Sequence, residues 1–205
     1  MKILIFASPR SGSTALTDAL SRLFNIKRNL EPFNPLNTKG LTEDQINTIA
    51  NNIPDNTVVK VLSVHRPRKW YLNFINQFDK VIYLTRADMQ AAIESFHYAY
   101  NHIDLNESGY PDGSKWHIGY TFNSSNVTMD KWITEHIDDC IEEVKTVAYI
   151  NKKSYIIYED LFSEDINTFN KTLDYIDLDI DKIKLRELLH PSKKYRKTNK
   201  PKTII

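Results

Sequence analysis

The chain has 205 residues, with 27 Lys and Arg against 26 Asp and Glu, and a single cysteine. That length suits one domain with a substantial core, while the near balance of charge gives no general attraction to nucleic acid or anionic lipid. One thiol excludes an internal disulfide, and no apolar run reaches the roughly 20 residues of a membrane-spanning helix. The N-terminus enters its first strand without a charged and apolar leader, so the expectation is a soluble, cytoplasmic single domain over 1–205 with no membrane or nucleic-acid partner.

Ile3 to Ala7 is a short apolar run that reads as a buried strand. Leu16, Leu20, Leu23 and Phe24 then recur at helical spacing. The segment between them, Ser8-Pro9-Arg10-Ser11-Gly12-Ser13-Thr14, is therefore a tight strand-to-helix loop. Such a loop aims backbone N–H groups and the positive end of a helix dipole at one point, which is a geometry that binds phosphate-like anions. Gly12 allows close backbone approach, Ser11, Ser13 and Thr14 add hydroxyls, and Arg10 adds a permanent cationic fork. The GxxxxGK[ST] form of nucleotide triphosphatases is not met, because its first Gly and its Lys are missing, which disfavours an ordinary kinase or GTPase.

Asn29 to Pro35 holds Pro32 and Pro35 and is predicted to be an irregular, exposed loop carrying one acid, Glu31. Thr42 to Asn52 reads as a helix, with Thr42 and Gln45 spaced as a capping box. Thr57 to Ser63 is a second buried strand containing Lys60; His65 lies just past its end, and Pro67 opens a helix to about Gln77. Lys80 to Thr85 is the third strand, followed by Arg86 and by a helix from Met89 to Tyr100 that Asp88 can cap. Residues 102–126 lack any sustained period and are expected to be a lid or acceptor loop, with Trp116 and His117 as acceptor-site candidates.

The longest helix follows, its apolar face marked by Ile133, Ile137, Cys140, Ile141, Val144 and Val147, so Cys140 is assigned to the core rather than to chemistry. Ser154 to Tyr158 is a fourth strand ending at Glu159-Asp160-Leu161. Helices are expected from Ser163 to about Tyr175 and from Asp181 to about Leu189, and 191–205 is a basic tail. This alternation predicts an α/β fold, three-layer α/β/α with a central parallel sheet, whose ligands sit beyond the carboxyl ends of the strands. Arg86 and Ser95, nine residues apart, make a second anion-binding point there, so a ligand with two separated anionic groups is implied.

These motifs resemble those of sulfotransferases that use 3′-phosphoadenosine 5′-phosphosulfate (PAPS), whose fold is P-loop NTPase-like. Ser8 to Thr14 is similar to their 5′-phosphosulfate loop, Lys80 to Arg86 with Ser95 to their 3′-phosphate segment, and Tyr158-Glu159-Asp160-Leu161 to the acidic element after a later strand. The arginine in the loop and Glu31-Pro32-Phe33-Asn34-Pro35 resemble the bacterial carbohydrate group that includes trehalose sulfotransferase. The resemblance implies PAPS as donor, adenosine 3′,5′-bisphosphate (PAP) as product, no metal, and a hydroxyl of a carbohydrate or other small molecule as acceptor.

By the same resemblance Arg10 serves the leaving group, Pro9 and Ser11 to Thr14 cradle the phosphosulfate, and Arg86 and Ser95 hold the 3′-phosphate. Arg196 and Lys197, in place of the family's usual glycine-containing basic motif, are weaker cofactor candidates. Glu31 matches the loop carboxylate that acts as general base in the trehalose-type enzymes. Its pKa is expected to be raised toward the working pH by partial burial. His65 is the competing base, because cytosolic members use a histidine after the second strand with a lysine shortly before it, a role Lys60 fills only at wider spacing. Glu31, Phe33 and Lys60 are placed on the acceptor side. Two other readings stay open: a small-molecule kinase of P-loop type using ATP and Mg²⁺, and a nucleotide-binding module without turnover.

Overall fold

A computed structural model describes residues 1–35, 37–101, 127–176 and 178–189, with side chains described except at 97–101 and 127–133. Five parallel strands form one sheet in the order β2-β3-β1-β4-β5: β1 is Lys2–Ala7, β2 Lys27–Leu30, β3 Thr57–Leu62, β4 Lys80–Thr85 and β5 Ile156–Ile157. The helices are α1 Ser13–Phe24, α2 Glu43–Asn51, α3 Arg68–Phe74, α4 Met89–Asn101, α5 Val127–Ile150, α6 Tyr158–Leu161, α7 Ile166–Asp174 and α8 Lys182–Leu189, with a 3₁₀ turn at Ile75–Gln77.

Strand β1 shows why the layers form. Ile3 to Ala7 are all fully buried, as a central parallel strand covered on both faces must be. Because successive side chains point to opposite faces, Ile3, Ile5 and Ala7 join Leu16 and Leu20 of α1, Phe169 of α7 and Leu185 of α8 in one core. Leu4 and Phe6 join Ile46 of α2, Tyr71 and Phe74 of α3 and Val144 of α5 in the other. The expected three-layer α/β/α arrangement with a central parallel sheet is the observed one.

Strand β2 was not expected. Its sequence, Lys27-Arg28-Asn29-Leu30, has no apolar alternation because it is a mostly exposed edge strand. Asn29 and Leu30 therefore belong to the sheet and not to an irregular loop, pairing with Val59 and Lys60. β5 is shorter than expected, since the chain turns helical at Tyr158 and puts Glu159 and Asp160 on α6. α7 starts later than expected because the Asp165 carboxylate caps it, accepting from the N–H groups of Asn167 and Thr168 at 3.2 and 3.0 Å. The capping box of α2 forms as read, with Gln45 N–H donating to Thr42 Oγ1 at 3.3 Å and Thr42 N–H to Gln45 Oε1 at 2.8 Å. The lid segment 102–126 and tail 191–205, and with them Trp116, His117, Arg196 and Lys197, lie outside the described residues. Among the described residues no helix is long and apolar enough to cross a membrane.

Candidate active site

The loop between β1 and α1 is fixed from both ends. Ser8 N–H donates to Leu84 O at 3.0 Å, tying the loop to β4, and Ser11 Oγ donates to Ser8 O at 2.7 Å. The first backbone bond of α1 runs from Leu16 N–H to Gly12 O at 3.1 Å, so the earlier N–H groups of that turn have no acceptor within the helix. Helix N-terminal N–H groups of this kind are the donors an anion cradle uses. Gly12 has φ +75°, and a Cβ there would lie 2.7 Å from the Tyr158 ring and 2.8 Å from Phe162. Both facts demand glycine. Gly12→Ala should cost about 2 kcal/mol or more in denaturant unfolding, from the left-handed backbone and the overpacking together; an unchanged midpoint would show that the aromatic pair yields freely.

Arg10 also has a left-handed backbone, φ 61°, and its carbonyl accepts from Arg86 Nη1 at 3.0 Å. Its own Nε donates to Ser95 Oγ at 2.9 Å, spanning from the loop to α4. Arg10 therefore meets Ser95, and no hydrogen bond joins Arg86 to Ser95 among the described residues. Arg86 lies over the Tyr158 ring at 4.7 Å and donates through Nε to Glu159 Oε1 at 3.2 Å. Glu159 in turn accepts from the N–H groups of Ala87 and Asp88 at 2.9 and 3.1 Å, so the resembling Tyr158-Glu159 element orients the arginine at the end of β4.

On the other side of the loop, β3 brings three titratable groups together. Lys60, buried within the sheet, donates from Nζ to Thr14 Oγ1 at 2.8 Å and forms an ion pair with Glu31 Oε1. Glu31 Oε2 accepts from Asn34 Nδ2 at 3.0 Å and lies 3.7 Å from His65 Nε2. Glu31 itself has φ 53°, and its N–H donates to Lys60 O at 2.8 Å, continuing the β2–β3 ladder by one residue. Left-handed non-glycine backbone costs energy and concentrates at functional positions, and both Arg10 and Glu31 carry it.

The charge state of this cluster corrects one expectation. Burial does push the Glu31 carboxyl up, but the Lys60 charge and hydrogen bond, with the Asn34 amide, outweigh it and hold Glu31 below the usual carboxylate range. It is an ionised acid in the free protein, not one raised toward neutrality. His65 is pushed down to about 4, first by burial and then by the charges of Lys60 and Arg66, against the raising effect of Glu31. A histidine buried neutral must charge on unfolding, so its contribution is present above the ordinary value of 6.5 and is lost as pH falls toward about 4. The loss amounts to at most about 3 kcal/mol. His65→Asn should flatten the fall in unfolding free energy over that window; an equal fall in both proteins would show that the imidazole is not held neutral.

Tyr71 shapes the turn that carries His65, donating from its hydroxyl to Leu62 O at 2.5 Å and accepting from Arg66 N–H at 2.9 Å. A cavity of about 260 Å³ is lined by Ser63, Arg66, His136, Cys140 and Glu143, among others, between this turn and α5. Burial pushes the Cys140 thiol up to about 12, in keeping with a core role. Four buried polar atoms have no partner among the described residues: Ser8 Oγ, Thr85 Oγ1, His65 Nδ1 and Arg66 Nε. All lie at or just past the carboxyl ends of β1, β3 and β4.

Phe33 requires a second correction. Expected on the acceptor side, it is wholly buried and packs edge-on against Trp70 at 4.7 Å and Phe74 at 5.0 Å. It anchors the Glu31 segment, and Trp70 stacks on Phe74 in the same aromatic cluster. Sequence reading missed the Lys60–Thr14 link and the seating of Arg86 on Tyr158, neither of which has a periodic or motif signal of its own.

A parallel α/β sheet with a glycine-containing loop between its first strand and first helix places the site beyond the carboxyl ends of the strands, as in other open α/β folds. Within that class the chain belongs to the sulfotransferase family: the sulfotransferase domain model matches residues 1–203. No curated protein matches the chain.

Proposed function

We propose that the protein transfers a sulfuryl group from PAPS to a hydroxyl of a carbohydrate or other small acceptor, releasing PAP, and that it is of the same kind as the bacterial carbohydrate sulfotransferases. The observation that carries this reading is the direct connection of the loop to the carboxylate: Thr14, Lys60 and Glu31 form one continuous chain of contacts. The donor set suits a ligand with two anionic ends. The first-turn N–H groups of α1, the hydroxyls of Ser11, Ser13 and Thr14, and Arg10 receive one end, with Pro9 shaping the approach. Arg86 receives the other, joined by Ser95 once its hydroxyl leaves Arg10. When bound, the donor supplies a sulfuryl group already joined to a phosphate leaving group.

The residues of the chain do the remainder. Arg10 steadies charge that develops on the departing phosphate, Lys60 sits between loop and carboxylate, and Glu31 accepts the proton of the acceptor hydroxyl. Labelled PAPS offered with a panel of sugars and small alcohols tests the reading: transfer of label to at least one hydroxyl supports it, and no transfer to any, with folded protein that binds PAP, leaves a binding module. For the second anionic site, Arg86→Ala should erase the preference for PAP over the analogue lacking the 3′-phosphate. An unchanged preference removes Arg86 from that role.

A further inference from the structure

The side chain of Lys60 is only 7% exposed, so its charge is met mainly by protein groups and not by water. Its ammonium has three donor positions; Thr14 Oγ1 on the anion loop takes one and Glu31 Oε1 takes another. One buried cation is thus shared between the place where an anion would sit and the acid that would remove a proton. We propose that Lys60 is a positioning residue that couples the two: it restrains Glu31 in the free protein and turns toward an anion seated at Thr14, which releases the carboxylate to act as base. This rests on the donor reading above and goes beyond it, since it makes competence of the base conditional on the donor.

The physical reason lies in what surrounds Glu31. Lys60 faces it from β3, His65 from the turn after β3, and Asn34 from its own loop, with Arg66 acting on His65 from behind. His65 is neutral in this setting, so Lys60 is the one full positive charge in contact with the carboxylate among these groups. Burial opposes the ionised acid, and Lys60 makes the largest opposing contribution. Drawing the ammonium toward a second anion weakens that contribution while the burial remains, so Glu31 becomes more basic. A base with its proton affinity raised only in the loaded enzyme avoids occupying a proton before the donor arrives.

The consequence is a proton taken up from solvent as the bisphosphate binds, which calorimetry counts by comparing buffers of different ionisation enthalpy. The phosphates of PAP themselves titrate near pH 6, so the readout is a difference: at about pH 6 the wild type should take up a fraction of a proton more than Glu31→Gln does. Lys60→Met should bind PAP more weakly, without that excess over Glu31→Gln, and its kcat/KM profile should have an acid limb moved to higher pH, because Glu31 is already released. Should Lys60→Met fail to fold, Glu31→Gln, which keeps the shape of the side chain, decides alone. An equal proton count for the wild type and Glu31→Gln overturns the coupling and leaves the donor reading standing. Absence of any binding heat overturns the donor reading and the coupling with it.

Discussion

Glu31→Gln is expected to lower turnover by about 10²-fold or more while PAP binding is not lost, the signature of a missing general base. The substitution keeps the volume of the side chain, its single amide oxygen can accept from Asn34 or from Lys60 though not from both, and the ladder contact from Glu31 N–H to Lys60 O involves only backbone. The protein should therefore remain folded, and the loss should appear in kcat. His65→Asn is the paired control. Its imidazole is neutral and so is chemically able to accept a proton, but it is 4% exposed and stands behind Glu31 at 3.7 Å. A small loss is expected there. Near-normal turnover for Glu31→Gln together with an approximately 10²-fold loss for His65→Asn would move the base to the imidazole.

Arg10→Ala should be at least as damaging, lowering turnover by about 10²- to 10³-fold, the range for removing a charged donor aimed at a developing negative charge. Arg10 already has φ 61°, a conformation no easier for arginine than for alanine, so the substitution adds no backbone strain. The contact from Arg86 is made to the Arg10 carbonyl and survives it. Unfolding midpoints close to wild type with collapsed turnover would assign the loss to the guanidinium. Turnover within a few-fold of wild type would take Arg10 out of the reacting centre.

How much of this was legible in the sequence depended on whether a residue's role is local. β1, β3 and β4 are apolar runs because both of their faces are covered, and the loop after β1 advertised itself through Gly12, whose positive φ and crowded Cβ position leave no substitute. The capping box of α2 is a local code and was read residue for residue. Edge strand β2 was invisible because its exposed Lys-Arg-Asn-Leu sequence pairs through backbone alone.

Site residues were legible as chemical types but not as partners. Glu31 could be picked out as an acid in a Pro-rich loop, yet the direction of its pKa is set by Lys60, 29 positions later in the numbering of the same ion pair. Arg10 meets Ser95, a pairing that only the packing of α4 near the loop creates. Phe33 looked like a ligand contact because it sits in a functional loop, but its side chain turns inward to the aromatic cluster of α3. Each of these depends on contacts distant in sequence, which neither periodicity nor a motif encodes.

The most direct test of the central claim is a calorimetric pair on the wild-type protein: PAP without metal, and ATP with Mg²⁺. Saturable binding of the bisphosphate without metal, and weak or absent binding of ATP, is the predicted result. Tight ATP binding with no response to the bisphosphate would contradict it and turn the same loop into that of a small-molecule kinase.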